Sequence, residues 1–226
     1  MIPESWKVQV GDAETSAVFE PTSAGNYAGV FVCAHGAGEG MSGRGMLAAA
    51  AQMRTRGLDV VRFNFLYKER GSGRPDPMPQ LQDCFSAVVD RVRMERSPTR
   101  LIIGGRSMGG RAASMLAADG FQCDGLLLLA YPLHPAGKPE QLRDAHLPSI
   151  TVPTICFSGT RDALCRRDLM EQVLTRIGPN WTMHWVDGAD HSFHVLKSSG
   201  RTDADAMDEI GDASKEWVAS LGSPRS

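Results

Sequence analysis

Leu101-Ile102-Ile103-Gly104-Gly105-Arg106-Ser107-Met108-Gly109-Gly110 runs from an apolar, β-branched stretch through a knot of glycines into a helix-like stretch. The apolar part predicts a strand covered on both faces. Gly105 and Gly109 stand two residues either side of Ser107, where the absence of a Cβ lets neighbouring backbone pass a sharp turn without clash. Such a turn holds Ser107 in strained backbone angles and presents its hydroxyl at a helix N-terminus, where unpaired N–H groups favour developing negative charge. The string G-x-S-x-G is short enough to arise by chance. Its place between strand and helix is what makes it a nucleophile candidate rather than a glycine-rich turn with a capping serine.

Working outward, short apolar runs recur at residues 6–10, 16–19, 30–34, 60–65, 101–104, 126–130, 154–157 and 182–186. Helix-like stretches lie at 46–56, 81–96, 108–118, 165–177 and 205–221. This alternation predicts a single-domain α/β fold with a mostly parallel central sheet of about eight strands and helices on both faces. Gly11-Asp12 between the first two runs is a hairpin signal, so the sheet is expected to begin with an antiparallel edge. Residues 68–80 and 132–153 are rich in proline and read as long loops, which in compact domains usually shape a site.

Composition narrows the function classes. The chain has 226 residues, 42% hydrophobic and 22% charged, and its net charge is −2. That is the profile of a globular domain with no basic field for nucleic acid. No apolar run approaches a membrane span, and the first ten residues lack a secretory pattern, so a cytoplasmic location is expected. Five cysteines with no C-x-x-C pair read as buried reduced thiols.

A serine hydroxyl is a weak nucleophile until a base takes its proton, and that base must itself be oriented. When serine, acid and histidine follow in that chain order, His184, His191 and His194 are the available bases. His184 falls inside a predicted strand. His191, in the turn Asp187-Gly188-Ala189-Asp190-His191, is the preferred base, with His194 second. Asp162, just past the strand at 154–157, is the preferred acid; Asp190 adjoins His191 in sequence, and adjacent side chains rarely face each other. The oxyanion donors expected are the N–H groups of Met108 and of Ala37, the latter in His35-Gly36-Ala37-Gly38 after the strand at 30–34. His35 itself is expected to pin that loop rather than to move protons. Arg106, beside the serine, is a candidate contact for an anionic group on a substrate; Arg62, Arg70, Arg74 and Arg161 lie at similar places.

With these four signals in order, each at the end of a predicted strand, the sequence resembles the α/β-hydrolase superfamily over nearly its full length. Within it, HGAGEG (35–40), GGRSMGG (104–110), YPLHPAGKPEQLR (131–143) and GADHSF (188–193) look like the small lidless hydrolase-like domain of testis-expressed and chromatin-complex proteins, with a looser likeness to dienelactone hydrolases. The resemblance implies a Ser-His-Asp triad. It also implies no cap domain, because only residues 132–153 stand where a cap is normally inserted, so an open, shallow site is expected.

Other readings carry less. Gly38-Glu39-Gly40-Met41-Ser42-Gly43 fits G-x-G-x-x-G, but its first glycine does not close the strand and Asp59 begins the next strand rather than ending it. Gly104 to Gly109 has phosphate-loop spacing but continues Gly110-Arg111, without the required lysine. His184, Asp187, Asp190, His191 and His194 match no metal-site pattern, so no metal and no other cofactor is expected. The expected function is hydrolysis of a small-molecule carboxylester, thioester or lactone through an acyl-enzyme. The rival is a hydrolase-shaped protein-interaction module with little or no activity.

Overall fold

The computed structural model describes residues 2–222. Its eight strands form one sheet in the order β1-β2-β4-β3-β5-β6-β7-β8. At the edge, β1 (Glu4–Val10) bends back into β2 (Ala13–Glu20) with Gly11 in the left-handed region at φ 57°. Trp6, Val8 and Val10 are buried while Ser5, Lys7 and Gln9 remain exposed, the alternation of a strand with one wet face. Both β1–β2 and β2–β4 are antiparallel, and every later pairing is parallel.

The middle strands, β3 (Gly29–Ala34), β4 (Leu58–Phe63), β5 (Leu101–Arg106), β6 (Gly125–Leu129) and β7 (Thr154–Gly159), are buried almost throughout, and β8 (Trp181–Val186) closes the far edge. Successive residues feed opposite layers. Val30, Val32, Ile103, Leu126 and Leu128 pack towards α3 (Met78–Arg96), α4 (Met108–Ala118) and α5 (Arg167–Leu174). Phe31, Cys33, Ile102, Leu127 and Leu129 pack towards α1 (Arg44–Thr55) and α6 (Asp203–Ser220). Two apolar layers explain why these strands read as continuous hydrophobic runs. All five cysteines are buried thiols outside any disulfide.

Some boundaries differ from the sequence reading, each for a local reason. The fourth strand stops at Phe63, because the Phe65 N–H turns away to the ring of His35 (3.1 Å). A short helix, α2 (Leu66–Glu69), then occupies the start of the stretch read as loop, and α3 begins at Met78. The helix expected from residue 165 starts at Arg167, since the N–H groups of Cys165 and Arg166 go to the Asp162 carbonyl and to the ring of His134. The last helix starts two residues early, where Thr202 and Asp205 cap each other's backbone. No helix among the described residues is long and apolar enough to cross a membrane.

The chain reverses its direction of strand addition at β3: β4 is laid down on one side and β5 on the other. A crevice opens at the carboxyl ends of strands flanking such a reversal. The loop after β3 and the turn after β5, carrying Ala37 and Ser107, meet there.

Candidate active site

Ser107 caps α4 at φ 49°, ψ −115°, a conformation L-residues rarely adopt. The turn is held by close packing against β3. Gly105 lies at φ 143°, and a Cβ there or on Gly109 would collide with the backbone of Ala34. The Ser107 N–H is fixed to the Leu129 carbonyl (2.8 Å), and its own carbonyl accepts from Arg111 N–H (3.0 Å).

His191 Nε2 lies 3.0 Å from Ser107 Oγ, and its Nδ1 lies 2.9 Å from both carboxylate oxygens of Asp162. The Asp162 side chain is fully buried, whereas the His191 ring keeps 27% exposure. Burial of a carboxylate is costly unless its lone pairs are filled. Besides the ring, Asp162 accepts from Ser158 Oγ (3.1 Å) and from the Leu164 N–H (2.8 Å). The loops bearing acid and histidine are also tied to each other. Arg161 N–H donates to the Ala189 carbonyl (2.9 Å), Arg161 Nη1 to the Gly188 carbonyl (2.9 Å), and Gly188 N–H to Thr160 Oγ1 (2.8 Å).

The remaining histidines are placed elsewhere. His194 contacts Asp203 at the start of α6 (3.0 Å), and His184, in β8, contacts Glu209 (2.8 Å). Asp190 shapes the histidine turn, its carboxylate accepting from the N–H groups of Ser192 and His194. His35 bridges two loops: its Nε2 accepts from Phe65 N–H, so the ring proton is on Nδ1, which donates to the Gly36 carbonyl (2.7 Å). Burial pulls its pKa down to about 4.

Ala37 and Met108 line a cavity of about 390 Å³ together with Ser107. Among the described residues, no backbone carbonyl accepts from the N–H of either. Arg106 lies apart from this cavity. Its Nη1 pairs with Glu39 (2.7 Å), and both line a neighbouring cavity of about 570 Å³ bounded by Arg44, Phe193 and Asp203. Arg62 and Arg70 are likewise paired, with Glu20 and Asp76. The glycine loop at 38–43 packs the Glu39 side chain against Gly43 at the start of α1, a negative charge where a dinucleotide would bring its phosphates.

Three positions escaped the sequence reading. Ser158, four residues before Asp162, was hidden inside a predicted strand. Arg111 and Arg143 both line the Ser107 cavity. For Arg111 a signal existed, since it follows Ser107 by one helical turn, the spacing that shares a face. Arg143 sits in the proline-rich stretch 132–153, which folds back so that Arg143 N–H donates to the Leu133 carbonyl (2.8 Å) and forms a wall of the cavity rather than a cap.

The backbone resembles solved structures along nearly its whole length. A serine hydrolase homologue from Coxiella burnetii superposes with a TM-score of 0.75 at 18% identity, covering 97% of each chain. A serine hydrolase without a lid from Xanthomonas campestris gives 0.73 at 20% identity, over 95% of this chain and 94% of the other. A dienelactone hydrolase from Anabaena variabilis gives 0.74 at 17% identity, over 97% and 98%. At such identities the likeness speaks for the fold. A family model described as an alpha/beta hydrolase domain matches residues 28–219, so this chain belongs to the α/β-hydrolase family.

Proposed function

We propose that this protein is a serine hydrolase that cleaves ester-like bonds, whether carboxylester, thioester or lactone, in small molecules. The observation that carries the reading is the unbroken hydrogen-bonded line from Asp162 through His191 to Ser107. His191 Nε2 removes the Ser107 proton as Oγ attacks the carbonyl carbon. The resulting oxyanion is held by the N–H groups of Ala37 and Met108, each worth about 3 kcal/mol of barrier. The N-terminal end of α4 adds its dipole to the same charge. His191 then gives its proton to the departing oxygen or sulfur, and Asp162 stabilises the imidazolium between the two steps. A water molecule, deprotonated by the same ring, releases the acid and restores Ser107. An aligned nucleophile and base also favour this reading over a purely binding module, which has no use for the strained serine.

The test is covalent labelling of purified protein by a fluorophosphonate, alongside hydrolysis of nitrophenyl esters of graded chain length. Labelling that vanishes in Ser107→Ala, with ester hydrolysis falling on the order of a million-fold, is the expected result. Absence of labelling and of turnover in a folded wild-type protein would leave the binding-module reading instead.

A further inference from the structure

The cavity beside Ser107 is lined by two arginines, Arg111 and Arg143, and among the described residues neither has a carboxylate within ion-pair distance. Asp76, in the same cavity wall, pairs with Arg70, and Asp144, next to Arg143 in the chain, pairs with Arg176. Among the described residues, Arg111 Nε is buried with no acceptor, and the Arg143 head reaches only the Pro132 carbonyl, at 3.4 Å. Both residues are nevertheless firmly based. Arg111 stands in the first turn of α4, and the Arg143 carbonyl accepts from Tyr131 OH at 2.6 Å. Their charges oppose each other: burial first, and then Arg111, draw the pKa of Arg143 below its ordinary value. The helix N-terminus under Arg111 adds further positive potential. Two partly buried like charges at the positive end of a helix are unfavourable alone, and an anion between them removes the cost.

The cavity also has a defined side. Its lining includes Ser107, Ala37 and Met108, whereas the neighbouring cavity is lined by Ser192, Phe193 and His194, the residues that follow His191. The leaving group must lie against the ring that protonates it, so the cavity with the arginines receives the acyl part.

We propose that the acyl group carries a free carboxylate, held by Arg111 and Arg143, so that the substrate is a monoester, monothioester or related lactone of a dicarboxylic acid. This rests on the serine-hydrolase reading above. A cavity of about 390 Å³ falls within the range of small-ligand sites and suits a short chain.

The experiment compares the mono-nitrophenyl ester of glutaric acid with its methyl-capped, neutral counterpart. The wild type is expected to prefer the free acid in kcat/KM by roughly tenfold to a hundredfold. The preference should shrink towards parity in Arg111→Gln and Arg143→Gln, chiefly through KM of the acid, and partly return in Arg143→Lys. Circular dichroism identifies any variant that fails to fold. Equal or better cleavage of the neutral ester by the wild type, with Ser107 labelled by fluorophosphonate, overturns the inference and leaves the hydrolase reading intact. Titration of Ser107→Ala with free glutarate decides the site without turnover. Heat of binding that disappears in Ser107→Ala/Arg111→Gln supports the anion site even if no ester is cleaved, and no binding to Ser107→Ala overturns it.

Discussion

Replacing Ser107 by glycine removes the hydroxyl and also the Cβ that resists φ 49°, ψ −115°. Replacing it by alanine removes the hydroxyl alone. Both variants lose the 3.0 Å contact with His191, so that loss cancels when they are compared. What remains is backbone strain, about 1 to 3 kcal/mol for a side-chain-bearing residue in such a region. Against it stands the extra conformational freedom that glycine gives the unfolded chain, about 0.5 to 1 kcal/mol. At the middle of these ranges Ser107→Gly should therefore exceed Ser107→Ala in stability by about 1 kcal/mol, and melt about 2 to 4 °C higher in a chain of this size. Differential scanning calorimetry of the two proteins, in the same buffer, measures the difference directly. Neither variant should be labelled by a fluorophosphonate. If the alanine protein melts at the same temperature as the glycine protein or above it, the turn is not strained as its angles indicate.

Other outcomes follow from the same geometry. Asp162→Asn should keep the fold, because the Leu164 N–H can keep the amide oxygen while Ser158 Oγ accepts from the amide nitrogen, yet lower turnover about ten-thousandfold by favouring the wrong imidazole tautomer; steady-state kinetics on a nitrophenyl ester reads this. His35 is neutral when folded down to about pH 4, whereas in the unfolded chain it titrates at 6.5. Its contribution is thus complete above pH 6.5 and is lost as pH falls from there towards about 4, by about 3 kcal/mol in all. Urea unfolding across that interval should show a shallower acid loss in His35→Gln, and an unchanged slope would refute the assignment.

The sheet was legible because its central strands are covered on both sides, so 30–34, 101–104 and 126–130 read as continuous apolar runs with no helical period. The edge pair was legible for the opposite reason, its alternation and the Gly11 turn. Ser107 could be picked out because the steric demands of its turn are written in adjacent glycines. What could not be read was anything decided by contacts between distant loops. Where β4 ends depends on the His35 ring thirty residues earlier, and where α5 begins depends on His134. Arg106 looked available in sequence because Glu39 lies far from it along the chain. Arg111 and Arg143 looked like ordinary surface arginines for the same reason, since thirty-two positions separate them and only the folded-back stretch 132–153 brings them to one cavity.

Since the Asp162 and His191 loops are stitched through Arg161, Gly188, Ala189 and Thr160, the carboxylate and the imidazole travel together as a single jaw. The opposing jaw is the β5–α4 corner, locked into the sheet by its glycines. Any motion between the two would stretch the contact from ring nitrogen to hydroxyl, while the Asp162 carboxylate keeps the ring oriented. A substitution such as Thr160→Val, well away from Ser107, would loosen that jaw and shift the His191 ring relative to the hydroxyl without touching either.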